Sequence, residues 1–326
     1  MKALRFSRFG DVASVLHIEE LPSPALALDE VLVEVHATSI NPSDVKNVQG
    51  KMRQTTLPRT PGRDLAGIIV AGDEGMIEEQ IWAAGGEMGF TRDGSHAEYI
   101  VIPRRGVRPK PKSLSMVEAA SAGINYITAF SGLIEKAKLK EGETVLVTGA
   151  SGGVGSSVVK IAKSRGAHVI AVDRQALEPE KARQLGIDLA LSSQSNNIVN
   201  QVQQYMQGKG VDVAFDCVGG PLFEVALNSL GRGGRQVNIT SVGDRRVSFD
   251  LIDFYHRQLT LYGVDTLALD IIASGDVLEG LQPDFEQGLL TAPDIARTCS
   301  LEEAVEAYRA VDNGTAKGKI VIVFPH

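Results

Sequence analysis

Glu143-Thr144-Val145-Leu146-Val147-Thr148-Gly149-Ala150-Ser151-Gly152-Gly153-Val154-Gly155 is the stretch on which the fold of this 326-residue chain turns. A short apolar strand runs into a glycine-rich turn, and the next residues read as a helix that Gly166 can end in the left-handed conformation. Such a turn suits a phosphate. Glycines let the backbone approach a pyrophosphate closely, and the helix amino terminus offers unpaired N–H groups and the positive end of its dipole. Gly152, Gly153 and Val154 are the residues expected against it. The competing reading, a turn that needs glycine for packing alone, is weakened by the second strand that follows and ends in Asp173. A carboxylate there accepts hydrogen bonds from adenosine ribose hydroxyls and repels the extra phosphate of NADP, whereas Arg174 can pair with that phosphate. The expected cofactor is therefore NAD or NADP: Asp173 favours NAD and Arg174 leaves NADP open.

Around this unit the texture is that of alternating strands and helices. Six apolar strands are centred on Val145-Leu146-Val147, Val169 to Val172, Leu189-Ala190-Leu191, Val213-Ala214-Phe215, Val237-Asn238-Ile239 and Leu259-Thr260-Leu261. Six strands with helical crossovers predict an α/β fold with a doubly wound parallel sheet of the Rossmann type over residues 122–266. Residues 1–121 are β-rich, with alternating stretches such as Val31 to His36 and Ala97 to Ile102 between proline and glycine turns, and read as a barrel-like domain. After Asp265 an amphipathic helix carries Leu301, Ala304, Ala307 and Tyr308, and an apolar strand from Ile320 to Phe324 is expected to return to that first domain, which then comprises residues 1–121 plus 267–326.

Composition narrows the function. Hydrophobic residues at 43% and charged residues at 22% are ordinary for a globular enzyme. The net charge of -7 and the lack of a basic run argue against a nucleic-acid partner. Two cysteines far apart, Cys217 and Cys299, build neither a disulfide framework nor a metal site and fit a reducing cytoplasm. No apolar run is long enough for a membrane span, and the amino terminus reads as a strand opening, so no membrane partner is expected.

A second dehydrogenase signature competes for the same loop. Gly149, Gly153 and Gly155 also fit the glycine pattern of short-chain dehydrogenases, and Tyr205 and Lys209 stand at the spacing of their catalytic pair. In that family, however, the loop lies near the amino terminus, and here it lies mid-chain. Tyr205 also abuts Gly208-Lys209-Gly210, a helix stop. Both residues read as surface and packing residues.

Five motifs then carry a resemblance over nearly the whole chain: Asn41-Pro42-Ser43-Asp44, Pro61 to Gly67 (PGRDLAG), Gly94 to Tyr99 (GSHAEY), the glycine loop itself, and Asp216-Cys217-Val218-Gly219-Gly220. With them the chain resembles the medium-chain dehydrogenase/reductase superfamily, in its zinc-free, quinone oxidoreductase-like branch. The resemblance implies a GroES-like β-rich domain before the parallel sheet. It also implies that the cysteine ligand of zinc-dependent relatives is replaced by Asn41 and their Gly-His-Glu by Gly62-Arg63-Asp64. The lobe holding a structural zinc is missing, and the six histidines show no ligand spacing. Without a Lewis acid, alcohol oxidation is difficult, whereas hydride transfer to an activated acceptor needs only alignment, a hydrogen bond to the developing oxyanion and a proton.

The expected activity is a zinc-independent, NAD(P)H-dependent reductase of a small-molecule quinone or α,β-unsaturated carbonyl acceptor. The alternatives are a reductase of another carbonyl class and a non-catalytic dinucleotide-binding protein. By resemblance Asn41 lies beside the nicotinamide and can donate to a substrate oxygen, although an Asn-Pro turn alone also explains it. Thr128 is implied under the nicotinamide ribose or carboxamide, and Val218, Ile239, Thr240 and Val264 along the nicotinamide half of the site. Tyrosines of enone-reducing relatives are replaced by Lys46 and Met52. Lys46 is a candidate charge stabiliser or proton donor, and Tyr126 and Tyr255 are alternative donors, each otherwise a core or rim aromatic. The last sheet strand, Leu259 to Val264, is an edge that can pair across a homodimer axis.

Overall fold

The computed structural model describes residues 1–325; the last residue of the carboxy-terminal domain read from the sequence, His326, lies outside them. Two compact units are present, one formed by Met1–Ile127 together with the stretch from Thr266 onward, the other by Thr128–Asp265. The sequence boundary at 121/122 falls six residues earlier than the break at 127/128, because the helix Met116–Phe130 runs through both positions and its apolar spacing marks no edge.

The unit Thr128–Asp265 contains six strands: β1 (Thr144–Thr148), β2 (His168–Asp173), β3 (Leu189–Ser192), β4 (Val211–Asp216), β5 (Leu230–Asn238) and β6 (Thr260–Gly263). All neighbours are parallel, in the order β3-β2-β1-β4-β5-β6. Each of the six apolar runs in the sequence is one of these strands, and the order reverses between β1 and β4. Strands covered on both faces read as continuous apolar runs, and Val145, Leu146, Val147, Val169, Ile170 and Val213 are all fully buried. The helix α1 (Gly153–Ser164) follows β1 and buries Val158, Val159, Ile161 and Ala162. Gly166, with φ at +73°, ends it as expected.

In the other unit the long strand Glu30–Ile40 pairs antiparallel with Asp64–Ala71, Tyr99–Pro103 and Lys319–Val323. Gln80–Ala84 and Arg108–Pro109 extend that seven-stranded sheet on one side and Ile295–Cys299 on the other. A 16-residue helix, Ile271–Glu286, has no counterpart in the sequence reading, because Gly275, Gly280 and Pro283 interrupt its apolar spacing. Its Phe285 packs edge-on against Trp82 and Tyr126, and Asp270 caps its amino terminus by accepting from Ala273 N at 2.7 Å. Among the described residues no helix is long and apolar enough to cross a membrane.

Candidate active site

The glycine turn is built as a receptacle. Gly149 N donates to Val172 O across β2, and Gly152 N folds back to Gly149 O at 3.0 Å, so the turn closes before α1 starts. Gly155 sits one turn into the helix, where an added Cβ would stand 2.0 Å from Gly149 O. That approach holds the helix amino terminus against the end of β1 and is open to glycine alone. Ser151 and Gly152 are exposed, and Gly153 and Val154 half-exposed, at the tip. The first N–H groups of α1 have no partner within the helix and face an accessible turn.

Asp173, at the end of β2, is buried, and its carboxylate accepts from Ser151 Oγ at 2.8 Å and Ser151 N at 3.1 Å. It thereby ties the turn to the adjacent strand, and Arg174 beside it is exposed. A cavity of about 290 Å³ opens nearby, lined by Ser193, Ser195, Asn196, Asn197, Pro221 and Leu222 from the segments after β3 and β4. None of these residues was singled out from the sequence. The signal available there was the Ser-Ser-Gln-Ser-Asn-Asn run following an apolar strand.

Val218, Ile239, Thr240 and Val264 all lie just past the carboxyl ends of β4, β5 and β6, where such sheets bind ligands. The structure draws them together: Val242 N donates to Val218 O at 2.8 Å, and Val264 N to Asn238 O at 3.0 Å. Asp216 organises this edge. Its Oδ1 accepts from Thr148 Oγ1, Val218 N and Gly219 N at 2.5, 3.0 and 2.9 Å, locking the end of β4 to the end of β1. Thr128 is buried one turn before Gly132, whose Cα lies so close to Phe215 that a Cβ would be 2.4 Å from the ring.

Asn41 and Lys46 belong to the other unit, on the helix Pro42–Val48 that Asn41 caps. Asn41 is 2% exposed and its amide is held at both ends. Nδ2 donates to Asp64 Oδ2 at 2.7 Å, and Oδ1 accepts from Lys319 Nζ at 2.6 Å. Asp64 Oδ2 also accepts from Ser39 Oγ, and Oδ1 accepts from Ile124 N at 2.6 Å. That last bond depends on Gly123, where a Cβ would meet Asp64 Oδ1 at 2.5 Å. Asp44 Oδ2 accepts from Asn41 N, and burial pushes its carboxyl up to about 6. His96 donates through Nε2 to Ser39 O, which leaves Nδ1 to accept from Tyr308 OH, and burial pushes the ring down to about 4. Lys319 is 6% exposed, with burial lowering its pKa and the Asp64 carboxylate, 3.9 Å away, opposing that shift. Arg63 is buried with its guanidinium over the Phe90 ring.

Lys46 is exposed on the same helix. Tyr126 is fully buried and donates to Thr291 O at 2.7 Å, the role of a core aromatic, whereas Tyr255 is 57% exposed. Tyr205 ends the helix Ile198–Tyr205 and Lys209 lies in the turn beyond it, both exposed, as read from the sequence.

Residues 27–112 match the alcohol dehydrogenase GroES-like domain family, and residues 153–276 match the zinc-binding dehydrogenase family. A zinc-type alcohol dehydrogenase-like protein of Schizosaccharomyces pombe is 33% identical over 320 residues, covering 96% of this chain and 94% of that protein. The chain belongs to the medium-chain dehydrogenase/reductase superfamily, in its quinone oxidoreductase-like branch. Like the proteins around it, this superfamily member is an oxidoreductase. The human quinone oxidoreductase is 29% identical over 99% of this chain and 98% of its own length. A 2-methylene-furan-3-one reductase of Solanum lycopersicum is 32% identical over 99% of this chain and 79% of its own. The crystal structure of an NAD-dependent alcohol dehydrogenase superposes with a TM-score of 0.89 at 27% identity, covering 100% of both chains. The β-rich GroES-like domain followed by a doubly wound sheet is therefore the fold of this superfamily member.

Proposed function

We propose that the protein is a zinc-independent, NAD(P)H-dependent reductase that passes a hydride to a quinone or an α,β-unsaturated carbonyl acceptor. The observation that carries this reading is the closed Asn41–Asp64–Lys319 network. By the resemblance, Asn41, Arg63 and Asp64 stand where zinc-dependent relatives place a cysteine ligand and Gly-His-Glu. Here a carboxamide and a guanidinium replace those ligands, and a buried ammonium bonds to Asn41. Neither replacement is a good zinc donor, and the Lys319 ammonium already takes up Asn41 Oδ1, the one carboxamide oxygen that could ligate a metal. The residues do not fit a catalytic zinc. The zinc-named family match covers residues 153–276, which include none of these positions.

The residues do fit a nicotinamide dinucleotide. Gly152, Gly153 and Val154 would hold its pyrophosphate, Asp173 its adenosine ribose, and the cavity beside Ser193 and Asn197 its adenine. Val218, Ile239, Thr240, Val264 and Thr128 would line its nicotinamide half. When bound, the reduced nicotinamide supplies the hydride. The chain itself orients the acceptor, excludes water along the apolar sheet edge and provides hydrogen bonds to the oxygen on which charge develops. Asn41 is assigned the donor role and Lys46 that of charge stabiliser or proton donor. Asp173 favours NADH, and the exposed Arg174 beside it leaves NADPH open. The human and tomato relatives, named for a quinone and a furanone, support the acceptor class.

One observation favours the second reading, a dinucleotide-binding protein without turnover: both ends of the Asn41 amide are occupied. Fluorescence titration with NADH and NADPH, followed by a panel of ortho-quinones, enones and enoyl thioesters, separates the two. Cofactor binding with acceptor-dependent oxidation supports the reductase, and binding without any oxidation supports the alternative. We propose further that a second copy pairs with β6, which among the described residues pairs with β5 alone and so offers its outer edge to a homodimer axis. A monomer in sedimentation would remove that proposal.

A further inference from the structure

Lys319 stands at an unusual place for a lysine. It opens the strand Lys319–Val323, whose next residues are apolar and buried, and antiparallel pairing of Ile320 with Ile40 brings it level with Asn41. Its Nζ donates to Asn41 Oδ1 at 2.6 Å and lies 3.9 Å from Asp64 Oδ2, while Asn41 Nδ2 donates to that same carboxylate oxygen at 2.7 Å. A carboxamide between a cation on its oxygen and an anion on its nitrogen has one flip state left, since the reverse would set N–H groups against the ammonium and oxygen against the carboxylate. The Nδ2 group carries two hydrogens, and Asp64 takes one of them.

We infer that Lys319 is a positioning residue for the reaction: its ammonium and the Asp64 carboxylate clamp the Asn41 amide so that the second Nδ2 hydrogen keeps a fixed direction toward the substrate oxygen. The inference rests on the reading of Asn41 as donor given above. Lys319 does not touch substrate in this account; it acts through Asn41. The clamp supplies a fixed charge and a fixed orientation from side chains alone, and the donor pays no reorganisation as the oxyanion forms.

A double-mutant cycle in the full-length protein tests this, with kcat, acceptor KM, NADH affinity and melting temperature measured for Asn41→Ala, Lys319→Met and the double variant. Removing one oxyanion donor lowers kcat about a hundredfold, and loosening it costs about tenfold, so Asn41→Ala and Lys319→Met are expected near those losses, with NADH affinity kept. The double variant is expected to match Asn41→Ala, because Lys319 has nothing left to hold. Losses that multiply, or a Lys319→Met enzyme with the parent kcat, overturn the clamp alone. An Asn41→Ala enzyme with the parent kcat overturns the donor reading and the clamp with it. Should Lys319→Met fail to fold, Lys319→Met combined with Asp64→Asn restores neutrality and keeps an acceptor for Ile124 N. That enzyme is expected to fold with the same kcat loss, and parent turnover in it overturns the proposal. Independently of turnover, the Asn41 side-chain amide resonances, identified by their absence in Asn41→Ala, are expected to exchange slowly with deuterium in the parent and rapidly when Lys319 is replaced. Equal rates overturn the clamp.

Discussion

The glycine turn and the Asn41 cluster are built on opposite plans. The turn from Gly149 to Gly155 is made of backbone, is exposed at its tip, and presents the N–H groups of a helix end outward. The Asn41 cluster is made of side chains, is buried, and spends its polar groups on one another. The difference teaches where each is fragile. A backbone receptacle tolerates a change of side chain but not the addition of one, because its shape is close approach. A buried charge cluster is instead sensitive to lost charge and altered pH, because Lys319, Asn41 and Asp64 are compensated by one another.

The largest expected effect breaks the turn. Gly155→Val places carbon atoms where Gly149 O stands, forces the helix away from the end of β1, and is expected to weaken NADH binding more than about a hundredfold, since overpacking of this kind costs about 3 kcal/mol. A fluorescence titration with the parent affinity would show that the turn has slack the structure does not display.

Acidification probes the cluster. His96 has its pKa lowered from 6.5 to about 4, so its contribution to stability is present above pH 6.5 and is lost as pH falls toward 4. Asp44 is raised from 3.8 to about 6, so its contribution is present below pH 3.8 and is lost as pH rises through 6. Each amounts to about 3 kcal/mol by linkage, with opposite sign over nearly the same window. Melting temperatures between pH 6 and 4 should therefore rise on acidification for His96→Gln, relative to the parent, and fall for Asp44→Asn. Parallel curves for all three proteins would contradict the burial assigned to these groups.

A smaller effect sharpens the turn's own selectivity. Asp173→Ser removes the carboxylate and frees Ser151, and is expected to move the NADH-to-NADPH affinity ratio about tenfold toward NADPH, one charge-assisted contact's worth. An unchanged ratio would make Asp173 a brace for Ser151 and nothing more. The smallest effect is none: Tyr205→Phe and Lys209→Ala lie on an exposed helix end and the turn after it and should leave kcat at the parent value. A large loss would reopen the short-chain dehydrogenase reading.

The two regions also differ in how far the sequence disclosed them. The turn was legible because strand, glycines and helix are contiguous, and the six strands of its sheet because burial on both faces makes them apolar runs. Asn41 was legible through motif resemblance, but its clamp was not: Lys319 lies 278 residues away, and only the antiparallel register of Ile320 with Ile40 sets it beside Asn41. The helix Ile271–Glu286 hid behind two glycines and a proline inside its span. The inward turn of Asp173 onto Ser151 hid because spacing reports a carboxylate's place and not its partner.

The most direct test of the account is acceptor-dependent NADH and NADPH oxidation by the full-length protein before and after dialysis against a chelator, with zinc content measured alongside. Hydride transfer to an enone or ortho-quinone at an unchanged rate with far less than one zinc per chain is the predicted result. No oxidation with any acceptor, or activity that disappears on chelation and returns with added zinc, would contradict it.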